Sequence, residues 1–152
     1  QAGEPMVIDM GARVDGYLSD ITRSFCVGHA SDEYLRLWEI VQSAQLAAER
    51  GIRAGMTGIE ADALARDLIY AAGYEGKFGH GLGHGVGLAI HEDPRASFTS
   101  TPLLPAGMVL TVEPGVYLPG WGGIRIEDMI VVGAEESRVL TQAPKWPVVQ
   151  QE

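Results

Sequence analysis

The sequence predicts a mixed domain in which strands and helices come in separate runs: a strand pair, two helices, then a second strand pair. Three observations carry this. Two segments near the ends have apolar runs interrupted by Gly-containing turns. Between them, two stretches of about twenty and fifteen residues carry apolar side chains at helical spacing. At 152 residues the chain has the length of one domain, taken as residues 1–152, and is long enough to bury a sizeable core.

Each element has a local reason. "MVIDMGARV" and "YLSDITRSFCV" flank Asp15-Gly16, a pair that favours the tight turn of a β-hairpin, so Val7 to Gly28 reads as one hairpin carrying Asp9 and Asp20. Ser31 is placed to cap a helix from about Asp32 to Arg50, with Leu35, Trp38, Val41, Gln42, Gln45 and Ala48 along its inner side. Thr57 and Glu60 have the spacing of a capping box and open a second helix, which Gly73 should end. Both helices read as scaffold. "TPLLPAG" is a loop, and "MVLTVEPGVYLPGWGGIRIEDMIVVG" reads as a second strand pair joined by a Pro-Gly-Trp-Gly-Gly turn.

The second pair repeats the first. Asp9 and Glu113 each precede a glycine by two residues, and the return strands carry Asp20 and Glu127 before ending in Val27-Gly28 and Val132-Gly133. Two helices precede the second copy and nothing precedes the first, so a symmetric arrangement implies further helices upstream, and a start cut from a longer chain. Without them the first hairpin should expose an apolar face that invites a homodimer.

Composition excludes several classes. Mean hydropathy is +0.05 and no apolar run approaches the ~20 residues of a membrane span, so no membrane partner is expected. A net charge of −9 opposes the phosphates of nucleic acid. The one cysteine, Cys26, sits in apolar "RSFCVG" and reads as a buried free thiol, which fits a cytoplasmic protein.

The chemistry concentrates in four acids and three histidines. Asp9, Asp20, Glu113 and Glu127 all lie in apolar, strand-like surroundings, where carboxylates are rarely placed without partners. Taken singly each has a plain account: Asp20 could pair with Arg23, Glu127 with Arg125, and Asp9 could cap a turn. Four converging carboxylates would repel one another unless protonated or bridged by cations, and two divalent ions balance four charges. "FGHGLGHGVGLAIHE" adds His80, His84 and His91. Its glycines would let the backbone pass close to a metal and a substrate; His80 and His84 would share one face of a strand, and a bend is needed to bring His91 to them. Oxygen-rich ligation with imidazole suits Mn²⁺, Co²⁺, Zn²⁺ or Fe²⁺.

"IDMGARVDGYLSDITR", "GHGLGHGVGLAIHEDP", "LTVEPGVY" and "GIRIEDMIVV" together resemble the signature segments of the pita-bread metallopeptidases, most closely the Xaa-Pro aminopeptidase and prolidase branch. The resemblance implies an α+β pita-bread fold, a curved antiparallel sheet with helices on its outer face, whose N-terminal part is missing here. It implies a dinuclear site with Asp9 on one metal, Asp20 and Glu127 as bridges, and His84 and Glu113 on the other. Glu113 would relay a proton, His91 would donate to the tetrahedral intermediate, His80 would hold the substrate near its imide bond, and Arg125 would contact substrate or orient ligands. The implied activity is hydrolysis of Xaa-Pro bonds in peptides; a methionine aminopeptidase, a metal-free hydrolase on the same fold and a non-catalytic peptide-binding module are the alternatives. The family's two helices and further active-site histidine before the first hairpin are not found here, so the chain alone is expected to fold with little or no activity.

Overall fold

The computed structural model describes residues 2–150. The elements run β1 (Pro5–Met10), β2 (Arg13–Val14), β3 (Tyr17–Leu18), β4 (Ile21–Val27), α1 (Asp32–Gly51), α2 (Gly58–Ala71), β5 (Gly83–Gly85), β6 (Glu92–Ala96), β7 (Val109–Val112), β8 (Gly115–Leu118), β9 (Gly122–Arg125), β10 (Asp128–Val131), β11 (Arg138–Val139) and β12 (Val148–Val149). They form a sheet β1-β4-β12, a sheet β11-β10-β7-β5-β6, and two small pairs, β2-β3 and β8-β9. Every pairing is antiparallel except β12 on β4.

The two predicted strand pairs are present, but each is broken. In the first, β1 pairs with β4 from Pro5↔Cys26 to Met10↔Ile21, and β2-β3 forms a separate small hairpin beyond. Asp15 (φ +50°) and Gly16 (φ +92°) make its turn, both central residues at positive φ as such a turn requires. Between the two parts Ser19 bridges to Ala12, its Oγ accepting from Ala12 N at 3.0 Å and its N–H donating to Ala12 O at 2.9 Å. Asp20 is thereby left outside the ladder, free to point its side chain elsewhere. The second pair breaks at Glu113-Pro114, because Pro114 has no N–H to give to a ladder. β7 pairs with β10 before the break and β8 with β9 after it. Each break falls at or beside an acid that the sequence singled out.

Ser31 caps α1, accepting from Tyr34 N at 3.1 Å, and the Thr57/Glu60 capping box opens α2. Gly73 follows α2 at φ +92°. The inner stripe of α1 is rotated from the one read in the sequence: Tyr34, Leu37, Ala44 and Glu49 are buried with Trp38, Val41, Gln45 and Ala48, whereas Leu35 and Gln42 are only partly covered. The cause is a second contact, since α2 packs along α1 and widens its buried face. Leu37, Val41, Ala44 and Ala48 of α1 join Ala61, Ala65 and Ile69 of α2 over Leu110, Val112, Val116, Ile124 and Ile130 of the strands. Cys26 is fully buried within this core as a free thiol, as read. None of the described helices is long and apolar enough to cross a membrane.

The histidine segment corrects the sequence reading in one respect. Between His80 and His91 only Gly83–Gly85 is strand, so the shared-face argument for His80 and His84 does not apply, and His80 lies in the loop before β5. The glycines also have another reason. A Cβ on Gly83 would run into the Thr111 carbonyl of β7, and one on Gly85 would lie 3.0 Å from Glu92 O. These glycines let β5 lie close between β7 and β6; the close approach is between strands.

Candidate metal and substrate site

The two sheets meet at an isolated bridge, Thr22↔Glu127, and the acids gather around it. Asp20 precedes β4, His84 is the middle residue of β5, Glu113 follows β7, and Glu127 lies between β9 and β10. One ligand atom from each of Asp20, His84 and Glu127 lies within 4.8 Å of the others, a spacing that one cation can bridge. His84 Nε2 is 3.2 Å from Glu113 Oε1 and 3.8 Å from Asp20 Oδ2. Asp9, on β1, is more exposed and forms an ion pair with Arg125.

The donor set fits a hard or borderline divalent cation. His84 Nδ1 is 3.0 Å from Gly85 O, and a carbonyl can only accept, so Nδ1 carries a proton and donates. In neutral His84 the Nε2 lone pair therefore faces the carboxylates, the arrangement in which imidazole binds a metal while a carbonyl orients it. Burial and mutual repulsion disfavour the charged forms of two of the carboxylates. Burial, then the Glu113 charge, then Asp20 and Asp9, push Glu127 up to about 8 against the opposing Thr22 hydrogen bond. Burial and the Asp9 charge raise Asp20 as well. Burial opposes charge on His84, but Glu113, the Gly85 carbonyl and Asp20 carry its pKa above the usual value.

A cavity of about 360 Å³ opens over these groups, walled by Asp9, His80, His84, His91, Glu113 and Arg125, with Gly81, Gly83, Arg95 and Ser97. The bend needed for His91 exists: its ring meets that of His84 edge-on, centroids 4.3 Å apart. His80 has both nitrogens engaged, Nδ1 with Gly81 O at 2.8 Å and Nε2 with the Tyr117 hydroxyl at 2.9 Å. Arg125 Nη1 donates to the same hydroxyl at 3.2 Å, so the phenol O–H donates to His80 Nε2, and His80 offers the cavity its ring rather than a nitrogen.

The plain pairings weighed for single acids are not those found. Arg23 pairs with Asp128 and not Asp20, and Arg125 pairs with Asp9 and approaches Glu113 at 3.9 Å, not Glu127. Several supporting residues were not read from the sequence. Thr22 donates to Glu127 Oε2 at 2.6 Å and accepts from Arg125 Nε at 3.1 Å. Thr111 donates to Glu113 Oε1 at 3.1 Å and accepts from His84 N at 2.9 Å. Each lies two residues from an acid on its own strand side, a spacing that carries the only available signal. Tyr117, Arg95 and Ser97 had none.

The chain belongs to metallopeptidase family M24, which it matches over residues 1–134. Its fold is the pita-bread fold: a solved structure of a Xaa-Pro dipeptidase from Bacillus anthracis superimposes with a TM-score of 0.95 at 49% identity, covering 99% of this chain and 42% of that one. Prolidase from Pyrococcus furiosus superimposes with a TM-score of 0.93 at 43% identity, over 95% of this chain and 43% of that one. An uncharacterized peptidase of Bacillus subtilis (strain 168) is 48% identical over 149 residues, 98% of this chain and 42% of its own length. The chain thus spans about two-fifths of the length of these relatives.

Proposed function

We propose that this protein is a dinuclear metal-dependent exopeptidase that hydrolyses the bond between an N-terminal residue and proline. The observation that carries the reading is the convergence of Asp20, His84 and Glu127 on one point beneath a cavity walled by His80, His91, Glu113 and Arg125. The names of the relatives agree with it.

Asp9, Asp20, His84, Glu113 and Glu127 would hold two divalent ions, with Mn²⁺ the first choice among Mn²⁺, Co²⁺, Zn²⁺ and Fe²⁺. Such ions supply Lewis acidity at the scissile carbonyl and make water acidic enough to react near neutral pH. Glu113 takes the proton from the attacking water and returns it to the leaving imide nitrogen; Thr111 fixes the rotamer from which it does so. His91 donates a hydrogen bond to the developing oxyanion. His80 closes the side of the cavity against the substrate ring, and Arg125 holds Asp9 and Tyr117 in place. The net negative charge disfavours a nucleic-acid partner, and the single buried thiol suits the cytoplasm. Met10, Val14 and Tyr17, all more than half exposed on the first strand segments, are where a second copy would pack in a homodimer.

The test is release of proline from Xaa-Pro dipeptides by the complete protein supplied with Mn²⁺, set against release of methionine from a Met-Ala peptide and against the 152-residue chain alone, which is expected to show little or no turnover. Proline release supports the reading. Methionine release alone would make the methionine aminopeptidase alternative correct, and peptide binding by calorimetry without turnover would favour the binding module.

A further inference from the structure

The segment 78–82, which delivers His80 to the cavity, has no strand to hold it. β5 begins only at Gly83, and Gly79 and Gly81 leave the backbone unusually free. Three of its main-chain groups, the Phe78 and His80 carbonyls and the Leu82 N–H, are bonded to a side-chain pair on α2. Arg66 grips Asp62, one turn earlier, through Nε and Nη2; its Nη1 donates to Phe78 O at 2.6 Å, and its Nη2 to His80 O at 2.6 Å. Asp62 Oδ1 accepts from Leu82 N at 2.9 Å. Every second residue, 78, 80 and 82, is tied to one ion pair, as a neighbouring strand would tie them.

The pair is buried, Asp62 at 1% and Arg66 at 8% exposure, and the guanidinium is packed by Phe78 (4.1 Å from Cζ to ring centre) and Phe98 (4.7 Å). Neither side chain lines the cavity. We infer that Asp62 and Arg66 are positioning residues, which set the place of His80 in the substrate cavity through its backbone carbonyl. The inference rests on reading His80 as a wall of that cavity. β5 and His84 are held separately, by β7 and Thr111, and Leu82 is held a second time by Glu113 N, which donates to its carbonyl at 2.8 Å, so the metal ligands keep supports of their own.

A planar fork is essential to this arrangement. The guanidinium donates to a carboxylate edge and two carbonyls at once, which the single ammonium of a lysine cannot do. Arg66→Lys therefore keeps the charge and loses the geometry. Because removing one member of a buried pair can unfold a protein, the neutral double variant Asp62→Asn/Arg66→Met is tested beside it.

The readout is the imidazole ring C–H spectrum of the metal-free chain, to which only four histidines contribute, together with Mn²⁺ affinity. In both variants the His80 signals should shift and broaden as its bond to Tyr117 loosens, while those of His29, in the turn after β4, stay in place and Mn²⁺ affinity is unchanged. A lower melting temperature with His80 signals identical to the parent's in both variants would overturn the inference and leave the pair a purely structural one. Peptide kinetics separate this from the underlying reading. If His80→Ala leaves KM for Xaa-Pro peptides unchanged, His80 is not a substrate wall, while the spectra still decide whether the pair positions it.

Discussion

Thr22 on the first strand pair donates its hydroxyl proton to Glu127 Oε2 of the second at 2.6 Å, across 105 positions of sequence. Arg125 Nε, donating to the same hydroxyl, fixes its direction, so the proton can point only at the carboxylate. This bond is one of several that join the two strand pairs, and it favours the charged form of Glu127 that a metal needs. Thr22→Val, which keeps shape and removes the donor, should weaken Mn²⁺ binding about 10- to 100-fold, the usual cost of losing a partner of a ligand. Thr22→Ser should restore most of it. Calorimetric titration of metal into the three proteins checks this.

In the complete protein, Glu113→Gln should abolish peptide hydrolysis and retain part of the metal binding, because an amide oxygen can still coordinate but cannot take up a proton. His91→Ala should retain metal and lose roughly 10²- to 10³-fold in kcat, as for the loss of one oxyanion donor. Single-turnover rates with parallel metal analysis separate the two. An active Glu113→Gln enzyme would remove Glu113 from the role of base, and an unchanged rate in His91→Ala would make His91 part of the scaffold.

Asp20, Glu113 and Glu127 were legible in the sequence because carboxylates set in apolar surroundings are costly, though the structure places them at the breaks beside strands and leaves Asp9, the only one of the four within a strand, largely exposed. The hairpin turn and both helix caps were legible because their chemistry is local. The breaks in the strands were less so: Pro114 announces one, but the Ser19 bridge beside Asp20 depends on a contact seven residues away. Thr22 and Thr111 resemble ordinary β-formers until their partners are known. Asp62 and Arg66, spaced i,i+4, look like a solvent-facing helix pair, and only burial against residues 78–82 shows otherwise.

Glu49 provides a pH test away from the metal ligands. It lies on the buried face of α1 at 5% exposure, with Gln45, Asp128 and Lys145 around it. Burial, and then its hydrogen bond and repulsion with Asp128, outweigh Lys145 and push it up to about 7. A carboxyl whose folded pKa lies above its unfolded value holds more protons when folded, so its contribution to stability falls as pH rises from about 4.5 to about 7. Glu49→Gln cannot titrate and keeps an acceptor for Gln45. Urea midpoints of the parent and the variant should diverge with rising pH in favour of the variant, and parallel midpoints across that window would refute the assignment.

Metal loading separates a dinuclear enzyme from its alternatives. With Glu127 and Asp20 both held above their usual pKa by burial and by neighbouring acids, the metal-free site stores repulsion that cations would relieve. Added Mn²⁺ should therefore raise the melting temperature steeply, by the equivalent of about 2.7 kcal/mol at a free concentration one hundred times its Kd. Titration should saturate at two ions per chain, one for each pair of negative charges. Asp20→Asn removes one charge from the centre of the cluster, where His84 Nε2 and Glu127 approach it, and should reduce both the stoichiometry and the thermal gain. A parent that binds a single ion, with Asp20→Asn indistinguishable from it, would show that the acids form a one-metal site and that Asp20 is not shared. Absence of any metal-dependent stabilisation would overturn the dinuclear reading in favour of the metal-free hydrolase or the binding module.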